Sequence, residues 1–293
     1  MNAYFQSIII LICINLIAVL GMSVLTGFTR LFSFGNAGFM SIGAYVAAIL
    51  VCEHSVPWPI AMLIAMAIAG AIAYLLGSVT LKLNGDYFLI TCLGFGECVR
   101  VLFNYVKWTG GAQGYSGIPG YSNIYVALVC AVLAFFIAWR IIHSKYGQNF
   151  TSIRENEVAG EAVGINTFGM KRMSFVISAI YAGWAGALYA GYIQYLAPGT
   201  FALPKSCELI TTVVIGGLGS LTGSVLGTIV CTLLPELFRS LSGYRMLFYG
   251  IAVVLVILFK PSGLYGYKEF SMRRLINRFK KHPLKEQKGG ADN

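Results

Sequence analysis

Charge is scarce in this sequence. Asp, Glu, Lys and Arg make up 11% of its 293 residues, and only 11 residues are acidic against 21 that are basic. An ordinary soluble domain is about a quarter charged, and this chain is instead 57% hydrophobic, which excludes a water-soluble fold. The apolar runs do not alternate every second residue, so helices are expected and a barrel is not. No polar block is large enough for a separate catalytic domain. Cysteine pairs are missing too: Cys13, Cys52, Cys92, Cys98, Cys130, Cys207 and Cys231 are scattered, mostly within apolar runs, with no C-x-x-C. They read as small core hydrophobes and give no metal or disulfide framework. The three histidines, His54, His143 and His282, stand far apart, and no G-x-S-x-G, H-E-x-x-H or Walker sequence occurs. Leu241-Ser242-Gly243 echoes an ATPase signature, but without a Walker lysine it carries no nucleotide chemistry. No catalytic residue, cofactor or metal is expected.

What is present is a series of apolar segments. Asn2 to Thr26 is uncharged and long enough to cross a bilayer, and without a basic n-region or cleavage site it reads as a span, not as a signal peptide. Met40 to Cys52 is short, and the Gly35-Asn36 before it suggests irregular backbone at membrane depth. Ile60 to Val79, Tyr87 to Phe103, Tyr125 to Ile142, Met173 to Leu196 and Leu247 to Phe259 are further spans. Ser206 to Ile215 and Leu221 to Leu234 are half-length pieces on either side of Gly216-Gly217-Leu218-Gly219-Ser220. They predict a re-entrant pair or a broken helix, with one continuous, glycine-bearing helix as the alternative. The fold class expected is all-α: a polytopic membrane bundle with re-entrant or broken half-helices, making roughly seven crossings plus that pair.

One polar stretch interrupts this pattern. Lys145 to Arg172 reads KYGQNFTSIRENEVAGEAVGINTFGMKR. Ser152 and Glu155 have capping-box spacing, and Gly164 stands where a left-handed residue would end a helix. The spacing predicts one isolated helix over Ile153 to Val163, roughly 16 Å long. Arg154, Glu157 and Glu161 would share one stripe of it, and Ile153, Val158, Ala162 and Ile165 an apolar edge. Such a helix offers a soluble partner something to grip, and the alternative is a solvated loop on the lipid headgroups. Elsewhere, Glu97 and Arg100 lie within a span at i, i+3, either as a mutually satisfied pair or as part of a translocation path. Lys107 to Tyr121 contains TGGAQGYSGIPG, which lacks the G-K-[ST] of a phosphate loop and reads as a flexible external loop.

Orientation follows from the basic residues. With Lys145 to Arg172 placed inside, 16 of the 21 basic residues fall on that side, leaving Arg100, Lys107, Lys205, Arg239 and Arg245 in the membrane or outside. The N-terminus is then external and the C-terminus cytoplasmic. The net charge of +10 is concentrated at junctions and in the tail, a pattern suited to anionic membrane lipid and not to nucleic acid. Residues 1–266 are expected to form the transmembrane domain, with a polar cytoplasmic loop at 143–172, and residues 267–293 a basic cytoplasmic tail.

The stretches FSFGNAGFMSIGAY, LNGDYFLITCLGFGECVR, GGAQGYSGIP, SIRENEVAGEAVGINTFGMKRMSFVISA, AGALYAGY, VVIGGLGSLTGSVLGT and LFKPSGLYG resemble LivM-type permeases of ABC importers for branched-chain amino acids. They are spread from about Leu20 to Gly266. The resemblance implies a subunit of the bacterial inner (cytoplasmic) membrane that moves branched-chain or other hydrophobic amino acids. It also implies a second, LivH-type permease, two ABC ATPase subunits and an extracytoplasmic substrate-binding protein. ATP hydrolysis would belong to the ATPase chains alone. The resemblance makes the polar helix a coupling helix, with Arg154, Glu155, Asn156, Glu157 and Glu161 as contacts and Gly164 as its end. Asn36, Ser41, Glu97, Arg100, Gly217 and Ser220 are candidates for the path, although Asn36 and Ser220 could equally cap the half-helices that follow them. The alternatives are a self-sufficient ion-coupled carrier or channel for a small polar solute, using Glu97, and a lipid-modifying membrane enzyme.

Overall fold

The computed structural model describes residues 3–83 and 86–237, together with residues 250, 253, 254, 258 and 263. The expected last span, Leu247 to Phe259, lies almost wholly outside the described residues, as do Leu241-Ser242-Gly243 and the tail at 267–293. Among the described residues the α-helices whose bounds are defined are α1 (Ala3–Met22), α2 (Asn36–Cys52), α3 (Trp58–Thr80), α4 (Asp86–Tyr105), α5 (Ile124–Ile142), α6 (Lys145–Glu155), α7 (Glu157–Ala162), α8 (Thr167–Ile193), α9 (Leu203–Gly216) and α10 (Leu221–Leu237). Among the described residues five helices are long and apolar enough to cross a membrane, with α1 extended through Gly27; α2 and α10 are shorter apolar helices.

Small residues decide which helices meet. The 27-residue α8 is the axis, with most of its length buried. Its Gly183 and Gly186 bring α2 into backbone contact: a β-carbon on Gly43 would stand 2.3 Å from the Gly183 carbonyl oxygen, and one on Gly186 would stand 2.0 Å from that of Met40. On α3, Ala61, Ala65, Ala69 and Ala73 form a buried i, i+4 stripe, and Ala69 meets Gly183. The opposite face of α3 presents Ile60, Leu63, Leu75 and Val79 outward. Likewise α5 buries Ala127, Ala131, Ala134 and Ala138 and exposes Leu128, Val132 and Phe136. Small inside and large apolar outside reverses the soluble pattern and suits a surrounding of lipid, where close packing and not water exclusion holds helices together.

α1 is apolar all round and buried on most sides against α8, α5 and α10. It continues into a π-helical turn, Ser23–Gly27. Arg30 follows with φ 54°, and the chain is not helical again until Asn36. Irregular backbone therefore does precede α2, but the helix starts at Asn36, four residues before the expected Met40. The sixth span also starts early, at Thr167, where Asn166 caps it by accepting from the Gly169 N–H (2.9 Å). It stops at Ile193, because Gln194 turns left-handed (φ 60°) and Tyr195–Leu196 becomes a strand.

The hinge at residues 216–220 separates α9 from α10, which excludes one continuous helix. Gly217 (φ 117°) and Gly219 (φ 86°) supply the reversal that L side chains resist. The two helices then run back along one another. A β-carbon on Gly223 would stand 2.3 Å from the Gly216 carbonyl oxygen, and one on Gly227 2.6 Å from that of Thr212. This is the re-entrant arrangement.

The bundle has two polar ends. At one, β1 (Tyr115–Ser116) pairs antiparallel with β2 (Tyr195–Leu196), and Trp58 stacks on Tyr121 at 5.8 Å. The expected flexible loop at 107–121 is instead folded, with 3-10 turns at Lys107–Thr109 and Gly111–Gln113 and left-handed glycines at 110, 111, 114 and 117. Tyr121 donates to the Ala187 carbonyl (2.9 Å), and burial raises its phenol pKa, so it remains a donor. At the other end lie α6 and α7. Here Arg172 ties the start of α8 to the end of α3, donating to Ser78 Oγ (3.3 Å) and lying 4.4 Å over the Tyr74 ring.

Candidate functional site

The polar interruption folds as two helices, not one. α6 runs over Lys145–Glu155, its Phe150 and Ile153 buried beneath it. The backbone then opens at Asn156 (φ −157°, ψ 110°), and α7 follows. The expected capping box at Ser152 and Glu155 does not form, because both residues lie in the last turn of α6. Asn156 is the cap: its Oδ1 accepts from the Ala159 N–H at 3.1 Å. Gly164 does end the second helix, at φ 86°. Its N–H reaches the Glu161 carbonyl (2.9 Å) and the Ile165 N–H the Gly160 carbonyl (3.0 Å), the paired bonds of a Schellman turn.

The break redistributes the charged residues. Arg154 does not share a stripe with Glu157 and Glu161: its side chain is 11% exposed and turns inward, donating from Nη1 to the Gly27 carbonyl (3.4 Å) and from Nη2 to Glu155 (2.8 Å). Glu157 pairs with Lys171, and Glu161 accepts from the Thr167 hydroxyl (2.7 Å), so both carboxylates brace α7 against the start of α8. Alongside these exposed carboxylates, α7 and its C-cap present two large apolar side chains outward: Val158 and Val163 are 76% and 78% exposed. Beside them, Gln148, Thr151, Ser152, Glu155, Ala159 and Val163 line a cleft of about 590 Å³ between the two helices.

The path candidates are not gathered into one site. Asn36 is fully buried and exchanges hydrogen bonds with Ser178 (3.1 and 3.3 Å), so it cross-links α2 to α8 and does not cap α2. Ser41 is buried, and its hydroxyl has no hydrogen-bond partner among the described residues. Ser220 caps α10, accepting from the Gly223 N–H at 3.1 Å, and Gly217 forms the hinge. Glu97 and Arg100 do pair (2.6 Å), and the second Glu97 oxygen accepts from the Leu203 N–H (3.3 Å) at the start of α9. A carboxylate there meets the positive end of a helix. A second charged cluster escaped the sequence reading: Lys205, expected to lie in the membrane or outside, is in α9 and bonds Glu208 (3.1 Å) and Asn15 of α1 (3.0 Å). The i, i+3 spacing of Lys205 and Glu208 was the available signal, obscured by Pro204 beside it.

A broken-helix bundle with one polar helix pair at its end is the setting for comparison with known proteins. The sequence profile of the family described as "Branched-chain amino acid transport system / permease component" matches residues 4–259. The chain belongs to this family. It is 33% identical to the high-affinity branched-chain amino acid transport system permease protein LivM of Escherichia coli K12, over 86% of this chain and 67% of that protein. It is 23% identical to a probable LivM of Methanocaldococcus jannaschii, over 71% and 69%. LivH of Salmonella typhimurium is also similar, at 26% over 57% of this chain and 55% of that protein. No solved structure matches the chain. Membership makes this LivM-type chain a multi-pass membrane protein and a permease component, not an enzyme, and does not favour a self-sufficient carrier.

Proposed function

We propose that the chain is one half of a heterodimeric pore in an ABC importer of branched-chain or other hydrophobic amino acids. A LivH-type permease completes the pore, and two ATPase subunits drive it from the cytoplasm. An extracytoplasmic binding protein delivers cargo at the end formed by β1, β2 and the 107–121 loop. In this orientation the N-terminus is outside, and the basic tail at 267–293 is cytoplasmic, beyond the permease domain at 1–266. The single observation that supports the reading most is the α6–α7 pair, a folded handle between two membrane helices with an exposed apolar tip.

In the cycle proposed, ATP closes the two ATPases, which carry α6 and α7 with them and rock the bundle between outward and inward openings. Val158 and Val163, with Glu155, Asn156, Glu157 and Glu161 around them, form the docking surface, and Gly164 fixes where it ends. Glu97 and Arg100 belong to the path wall, and Gly217 and Ser220 to its hinge. Exposed apolar residues set in a polar rim are the usual centre of a protein contact. The substitutions Val158→Glu and Val163→Glu together test this. Each residue is more than three-quarters exposed, so the chain is expected to reach the membrane intact. Co-purification of the ATPases is expected to be lost, and uptake with it. Retention of both would refute the docking role.

A further inference from the structure

Arg154 stands where three irregular pieces of backbone meet. The first is the end of α6, one residue before the break at Asn156. The second is the π-helical turn Ser23–Gly27. In a continued α-helix the Gly27 carbonyl would accept from the Leu31 N–H, but that N–H turns to the Leu25 carbonyl instead (3.4 Å). The Gly27 oxygen is thereby released, and Arg154 Nη1 donates to it. The third is the hinge of the re-entrant pair. A β-carbon on Gly219 would stand 2.2 Å from Arg154 Nη1, and one on Gly27 would stand 3.0 Å from the Gly219 nitrogen. Just beyond the hinge, Ser224 of α10 donates to Ser23 Oγ (2.9 Å), so the π-turn and the re-entrant pair are joined at a second point.

We propose that Arg154 is a positioning residue that links the α6–α7 handle to the hinge of α9 and α10, and that it contacts no partner chain. A basic residue in the last turn of a helix ordinarily serves its own helix carbonyls. This one reaches out of its helix to the carbonyl of another, and is nearly buried while doing so. Burying a guanidinium is costly unless it is paired and bonded, and Glu155 supplies the charge. The planar, forked group can hold a carboxylate on one side and a backbone oxygen on the other, which a lysine ammonium does less well. Displacement of α6 would therefore act on the π-turn and the hinge together.

The inference rests on the transporter reading, so its test uses the assembled complex: this chain, the second permease, the ATPases and the binding protein in proteoliposomes. Uptake of a labelled mixture of leucine, isoleucine and valine is measured beside ATP hydrolysis in the same vesicles. Arg154→Ala is expected to keep the ATPases in the purified complex and to lower uptake per ATP hydrolysed about tenfold. Arg154→Lys should recover part of that ratio. Gly219→Ala should lower it as well, because its methyl group displaces the guanidinium at a backbone position (φ 86°) already unfavourable to alanine. If Arg154→Ala fails to reach the membrane, the lysine and Gly219→Ala variants carry the test. Loss of the ATPases with Arg154→Ala would make the residue part of the docking surface and overturn the proposal. So would an unchanged ratio of uptake to hydrolysis in the variants that assemble. A wild-type complex that takes up none of the three amino acids would overturn the transporter reading itself, and this inference with it.

Discussion

Gly186 and Gly94 are both glycines within membrane helices, and the structure gives them opposite meanings. A methyl group on Gly186 would lie 2.0 Å from the Met40 carbonyl oxygen, where only backbone could yield, while Gly94 has nothing within 4 Å. Gly186→Ala is therefore expected to lower stability by about 1–3 kcal/mol through forced separation of α2 and α8. Gly94→Ala should leave stability unchanged or raise it by about 0.5–1 kcal/mol, through helix propensity alone. Thermal unfolding of the two variants in detergent, each compared with wild type, checks the pair. The sequence shows both glycines and cannot separate them, because the difference is made by a helix more than a hundred residues away. Asn36 teaches the same lesson. Its polarity inside an apolar run suggested a path or a cap, and its partner, Ser178, lies on α8.

At the scale of elements, the apolar segments were legible because length and the absence of charge suffice to place a membrane helix. The re-entrant pair was legible from its glycines, since both positive-φ positions of the hinge, Gly217 and Gly219, are residues that tolerate them. The coupling segment was only half legible. Gly164 gave its end, but the start was assigned to Ser152, because the Lys145–Phe150 run is too polar to show as an amphipathic helix. The stronger signal was Asn156, a good cap followed at once by Glu157 in the first turn of α7. Asn156→Ala is expected to weaken α7 by about 1 kcal/mol. Hydrogen exchange across Glu157–Ala162 reads this directly, as amides exchanging about fivefold faster while those of α8 are unchanged. Equal protection in the variant would show that packing, and not the cap, holds α7.

For the molecule as a whole, the segregation of charge foretold the two polar ends, and the structure joins each end by specific contacts. Arg154 and Arg172 bind at the basic end, and the β1–β2 pairing closes the other. The Glu97–Arg100 pair was legible from its i, i+3 spacing, but its link to the start of α9 and the contact of Lys205 with Glu208 and Asn15 were less visible, because these charges are satisfied across elements. Neither pair is arranged like an isolated coupling acid: each carboxylate is held by a cation three residues away in its own helix. This arrangement supports the proposal that the driving force comes from other chains. Uptake into proteoliposomes measures this most directly, comparing the purified chain under a proton or sodium gradient with the complete proposed complex supplied with ATP. Accumulation of branched-chain amino acids is expected only in the complete, ATP-supplied vesicles. Concentrative uptake by the chain alone would contradict the account.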